Sequence, residues 1–157
     1  MKWFKMDEFR CKCCGQVGEP EHIEALVDEV LDPARERYGG KVKVSSGYRC
    51  RKHNAECAGA SKTSQHMRSE ASDLIAGSPA ENLKLAKAIV AGGKWDQMIL
   101  YVNSAGNLEP RFVHVSYKKD GRNRKQILKQ VVGKAGYQAL STEEIARLLG
   151  PNFKAKN

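Results

Sequence analysis

The run Phe112-Val113-His114-Val115-Ser116-Tyr117 alternates strictly, so as a strand it puts Phe112, His114 and Ser116 on one face and Val113, Val115 and Tyr117 on the other. The valine face is expected to pack into a core, which points His114 away from it. Upstream, His66 and Asp73 stand seven residues apart in Ser64-Gln65-His66-Met67-Arg68-Ser69-Glu70-Ala71-Ser72-Asp73. A turn-rich run precedes this stretch, and residues 71 to 76 have room for a short strand. A fold that brings His66, Asp73 and His114 together gathers two imidazoles and a carboxylate from distant segments. Three such ligands leave one corner of a tetrahedral zinc open, which is the catalytic arrangement; structural zinc is usually closed by four Cys or His ligands. Taken singly, each of these residues is as readily a hydrogen-bonded polar side chain.

Earlier in the chain, Lys41-Val42-Lys43-Val44-Ser45-Ser46 alternates as a strand and delivers Gly47-Tyr48-Arg49 at its end. An arginine where a strand gives way to a loop can reach into a cleft, where its planar fork suits a carboxylate or a developing oxyanion. A surface ion pair is the plainer role. Taken in order, Ser45-Ser46-Gly47-Tyr48-Arg49-Cys50, then Ser64-x-His66 through Asp73, then Val113-His114-Val115 resembles the zinc D-alanyl-D-alanine carboxypeptidase family. These are phage and bacterial peptidoglycan peptidases that share their fold with the hedgehog signalling domain. The resemblance covers about residues 4 to 130.

The resemblance implies Zn²⁺ held by His66, Asp73 and His114, with Arg49 contacting substrate and stabilising the transition state. It matches Ser64 to a serine that can hydrogen-bond substrate, although an ordinary turn role fits equally. The implied reaction is hydrolysis of an amide bond in peptidoglycan stem peptides, of the D-Ala-D-Ala carboxypeptidase or L-Ala-D-Glu endopeptidase type. Two positions depart from the family's pattern. Ser69 stands where a glycine is usual, a steric cost if the backbone there needs a positive φ. The general base, commonly an acid three residues before the second histidine, is replaced by Arg111. Glu109 is then the candidate base, and it reaches the zinc only if Pro110 bends the chain into the strand. Asp96 and Glu70 are lesser candidates.

The 157 residues, 41% of them hydrophobic, suit one domain with its own core. We expect an α+β fold: a small, mainly antiparallel sheet with helices on one face and the zinc cleft on the other. Residues 1–20 read as a cysteine-containing cap anchored by Trp3, Phe4 and Phe9, and residues 133–157 as a helical extension. Ile23, Leu26, Val27, Val30 and Leu31 recur at helical spacing, with Pro33 expected to divide the helix and Gly39-Gly40 to end it. Ser78 to Glu81 and Ser141 to Glu144 read as capping boxes, residues 95–102 as a strand paired antiparallel with the His114 strand, and residues 124–132 as a short basic helix.

No apolar run approaches a membrane span, and no continuous apolar signal region opens the chain. The expectation is therefore synthesis in the cytoplasm and action at the bacterial cell wall, as for a phage or mobile-element lysin, and as a monomer. Five cysteines suggest a reducing site of synthesis. Cys11, Cys13 and Cys14 are close-set and Cys50 and Cys57 flank a short loop; packing thiols, oxidised pairs and a second metal site are all open readings. The net charge of +9 favours anionic partners, cell-wall polymer or nucleic acid, but no nucleic-acid module is recognisable. Two other classes stay open: a non-catalytic zinc module of the same fold that binds cell wall or a protein, and a basic nucleic-acid binder.

Overall fold

The computed structural model describes residues 1–150. Six strands form one sheet in the order β1-β2-β4-β3-β5-β6: β1 Lys43–Ser46, β2 Ala71–Ile75, β3 Gln97–Val102, β4 Phe112–Ser116, β5 Gln126–Val131 and β6 Gln138–Ala139. Every neighbouring pair is antiparallel except β3 with β5. The expected α+β class and mainly antiparallel sheet are therefore what the chain forms.

The helices are α1 Pro20–Leu26, α2 Asp32–Tyr38, α3 Arg51–Glu56, α4 Pro79–Gly92 and α5 Thr142–Leu149. Between α1 and α2 the chain widens to a π-turn over Val27–Leu31, directly before Pro33, which has no amide to donate back to the preceding turn. The division expected at Pro33 thus takes the form of a π-turn rather than a break. Gly39 ends α2 with φ 80°, the left-handed conformation that spares a side chain its clash. Ser78 and Ser141 each cap the following helix by accepting the amide three residues on.

The core lies between the helices and one face of the sheet. Leu74, Met98, Leu100, Val113 and Val115 meet Leu85, Ala86 and Ile89 of α4 and Leu26, Val27 and Leu31 of the first helical segment, and all are buried. Burial of that many large side chains, each contributing about 1.5–3 kcal/mol, fixes which face of β2 and β4 points inward. The opposite face carries Asp73 and His114.

Two expectations need correction. Residues 124–132 form no helix: Gln126–Val131 is β5, laid parallel to β3 from Gln97↔Gln126 to Val102↔Val131. The run is basic but short, and the free edge of β3 supplies a full ladder of backbone partners that outweighs weak helix propensity. Trp3 is exposed, stacked under the Arg35 guanidinium, whereas Phe4 and Phe9 anchor the cap as expected. At the carboxyl end, Leu140 and Leu148 join the core cluster, so α5 is packed against the rest of the fold. The part of the expected extension from Pro151 onward lies outside the described residues.

Candidate metal centre

β2 and β4 are neighbours, and their register sets Asp73 directly opposite His114. His66 arrives from a single 3₁₀ turn, Gln65–Arg68, immediately before β2. Ser64 caps that turn, its Oγ accepting from the His66 amide at 3.3 Å, and it also lines the cleft. The turn must end in a left-handed residue, and Ser69 takes that role with φ 58°. Its hydroxyl offsets the steric cost by donating to the Val17 carbonyl at 2.8 Å and accepting from the Glu19 amide at 3.0 Å. The same bonds tie the metal-side turn to the amino-terminal cap.

The three side chains converge. His66 Nε2 lies 3.2 Å from Asp73 Oδ1 and 3.2 Å from His114 Nδ1, and His114 Nδ1 lies 3.1 Å from Asp73 Oδ1. All three residues are buried. On its other side the His66 ring donates from Nδ1 to the Gly47 carbonyl at 2.7 Å. A carbonyl only accepts, so this contact puts the proton on Nδ1 and leaves Nε2 as an acceptor in the neutral ring. Two imidazole nitrogens and a carboxylate oxygen facing one another have too few protons to pair among themselves, and a cation resolves that repulsion. Donor atoms at zinc bond lengths on a tetrahedron would stand roughly 3.3 Å apart, close to the spacing found.

The electrostatics agree. Burial alone would raise the Asp73 carboxyl, but the flanking His66 and His114 rings outweigh it and hold the group well below the usual carboxylate range. Burial pushes the His114 imidazole down against the pull of Asp73. Ionised carboxylate and neutral imidazole are the forms in which these groups bind metal.

The three donors sit on the wall of an open cleft of about 880 Å³. Arg49 lines it too, with Nη2 2.9 Å from Asp73 Oδ2 and Nε 3.1 Å from Ser46 Oγ. Arg68, Lys118, Arg124 and Lys134 add further positive charge, and Asp73 is the one carboxylate among the described residues of the lining. Glu109 is not in that lining. Pro110 does not turn it toward the histidines; instead Asn82 on α4 binds the carbonyls of Pro110 and Arg111 at 3.0 and 2.9 Å and holds this stretch on the helix side. Asp96 is committed to Arg124, which reaches it from Nη2 at 2.9 Å and Nε at 3.1 Å, and Glu70 to Arg68 at 2.7 Å.

Tyr101 escaped the reading of the sequence. It lies two residues beyond Ile99, the partner of His114, and therefore on the same face of the sheet. Its ring stacks on Phe112 with centroids 4.3 Å apart, and it lines the cleft beside Tyr137. Burial, reinforced by Tyr137 and Asp73, pushes its phenol far up, so it stays a hydrogen-bond donor. The sequence suggests the antiparallel β3–β4 pairing, and the register sets Tyr101 opposite Phe112.

The Peptidase M15 family model matches residues 2–116, well over half of the chain. The chain belongs to the Peptidase M15 family. This is a zinc D-Ala-D-Ala carboxypeptidase-type family, and M15 membership implies a zinc peptidase. The matched span contains the whole His66, Asp73 and His114 group, which could hold a metal ion. Among curated proteins, none matches it. No helix among the described residues is long and apolar enough to cross a membrane.

Proposed function

We propose that this M15 chain is a zinc-dependent peptidase that hydrolyses an amide bond in peptidoglycan stem peptides, with His66, Asp73 and His114 as the ligands. The observation that carries the proposal is the convergence of these three buried donors on the wall of a cationic cleft. Bound there, zinc supplies Lewis acidity and an acidified water. The chain's own residues supply the rest. Lys118, Lys134 and the Nη1 of Arg49 draw the carboxylates of a stem peptide into the cleft, whereas Arg68 and Arg124 are already paired with Glu70 and Asp96. Arg49 fixes Asp73 with Nη2 and Ser46 with Nε, and presents the donors of Nη1 to substrate. Ser64 offers a hydroxyl at the same wall. Tyr101 offers a phenolic O–H to charge that develops on the carbonyl oxygen.

One observation favours a second reading. No carboxylate other than Asp73 lines the described cleft, so no second acid stands ready to take the proton of the attacking water. On that reading the chain is a zinc module that holds anionic wall peptides without cutting them. Incubating zinc-loaded protein with purified muropeptides, beside a chelated sample, separates the two by mass spectrometry and a pull-down. New fragments that vanish on chelation support the peptidase. Retention without fragments supports the module, and neither retention nor fragments overturns both.

A further inference from the structure

Away from the cleft, the cap brings a second set of metal-binding side chains together. The thiols of Cys11, Cys14 and Cys50 lie within 4.8 Å of one another, and Cys11 Sγ is 3.6 Å from His53 Nδ1. The four residues come as two pairs, Cys11-x-x-Cys14 and Cys50-x-x-His53, each with its members three positions apart. That spacing lets two side chains on one turn face the same point. In the first pair the turn is closed by the Gly15 amide on the Cys11 carbonyl at 2.8 Å, with Gly15 left-handed at φ 75°. In the second, Cys50 caps α3, its sulfur accepting from the His53 amide at 3.5 Å. Cys11 Sγ also accepts from the Cys50 amide at 3.4 Å. Amides aimed at sulfur favour a thiolate, the form that binds metal.

We propose that Cys11, Cys14, Cys50 and His53 bind a second zinc ion, in a closed structural site separate from the His66 centre. Thiolate and imidazole on tetrahedral zinc, with bonds of about 2.3 and 2.0 Å, stand roughly 3.5 Å apart, which the Cys11–His53 contact already matches. Soft sulfur donors select zinc over hard cations such as magnesium or calcium. Four protein ligands leave no open corner, so this ion holds structure and performs no hydrolysis. Cys57 stays outside the cluster. The competing state is a disulfide, because the Cys13 thiol also reaches Cys50.

The site ties the cap to the segment that serves the first centre. Cys50 follows Arg49 directly, and the Tyr48 amide donates to the Phe9 carbonyl at 2.9 Å. Gly47, whose carbonyl orients His66, packs on the Phe9 backbone so closely that a Cβ there would stand 2.5 Å from Phe9 Cα. An ion bridging residues 11–14 to 50–53 therefore steadies Gly47 and Arg49 from behind.

Metal analysis of full-length protein purified under reducing conditions tests the proposal independently of hydrolysis. Two zinc ions per chain are expected. Cys50→Ser or Cys14→Ser should remove one and His66→Ala the other, and His53→Cys should keep both. Cobalt-loaded protein should show thiolate-to-cobalt charge-transfer absorption that survives His66→Ala and disappears in Cys50→Ser. If the cysteine variants do not fold, thiol labelling of the parent protein decides: three thiols protected until chelator is added support the site. A zinc content that Cys50→Ser leaves unchanged, freely labelled thiols or a Cys13–Cys50 disulfide in the reduced preparation would overturn it.

Discussion

Arg49 Nη2 and Asp73 Oδ2 lie 2.9 Å apart, so the arginine holds the oxygen of Asp73 that does not face the histidines. Both side chains are largely buried. The arginine of the Ser-Gly-Tyr-Arg segment therefore positions a candidate ligand as well as facing the cleft. Arg49→Ala should weaken zinc affinity at this centre by about 10- to 100-fold. Competition against a chromophoric chelator measures it; unchanged affinity would leave Arg49 with a substrate role alone.

Removing a donor acts more severely. His66→Ala or His114→Ala should each cost one equivalent of zinc per chain relative to the parent, read by elemental analysis, while the helical circular dichroism is retained. Full retention of metal would remove the ligand assignment.

Glu109 and Tyr101 exchange the importance that the sequence suggests for them. Glu109→Gln should leave kcat within about 2-fold, because the side chain does not line the cleft. Tyr101→Phe should lower kcat on the order of 10-fold or more with KM little changed, as for loss of one donor to developing charge. The opposite ranking would require the 103–111 connection to rearrange around substrate.

Ser69 offers a stability test. Ser69→Ala keeps the left-handed strain and loses both hydroxyl bonds, which should cost about 2 kcal/mol. Ser69→Gly loses the same bonds but relieves the backbone, so its cost should be about half as large. Denaturant midpoints compare the two, and equal values would show that the φ of 58° carries no strain.

Asp96 sets an acid limit. Burial would raise its carboxyl, but the Arg124 hydrogen bonds outweigh it and hold it below its ordinary value. A carboxyl depressed in the folded state stabilises above its unfolded pKa of about 3.9, and that stability is lost as pH falls through the folded value. Asp96→Asn should cost about 2 kcal/mol at neutral pH, discounted for the half-exposed Arg124, and should flatten the stability curve below about pH 4. An unchanged acid limb would assign acid unfolding to other carboxylates.

Much of this architecture was legible from periodicity. The alternation of residues 112–117 places His114 opposite the valine face, and the capping serines mark α4 and α5. The need for an αL residue at position 69 was legible from the resemblance, but the hydroxyl's partners, Val17 and Glu19, lie some fifty residues away in sequence and leave no local signal. Long-range pairing also hid β5, since the six residues Gln126–Val131 become a strand only when β3 offers its edge. Glu109 was misplaced because its position depends on Asn82, a buried side chain on a different element. His53 leaves no local signal for the same reason: its partner Cys11 is distant in sequence.

The pairing of Asp73 with His114 across β2 and β4 makes the centre a reporter on the sheet. His66 and Asp73 come from one stretch of chain and the third donor from another, so the set is complete only when β4 is paired with β2 in the sheet. Its completion, followed by the colour of a bound transition ion, would report closure of the central sheet in real time.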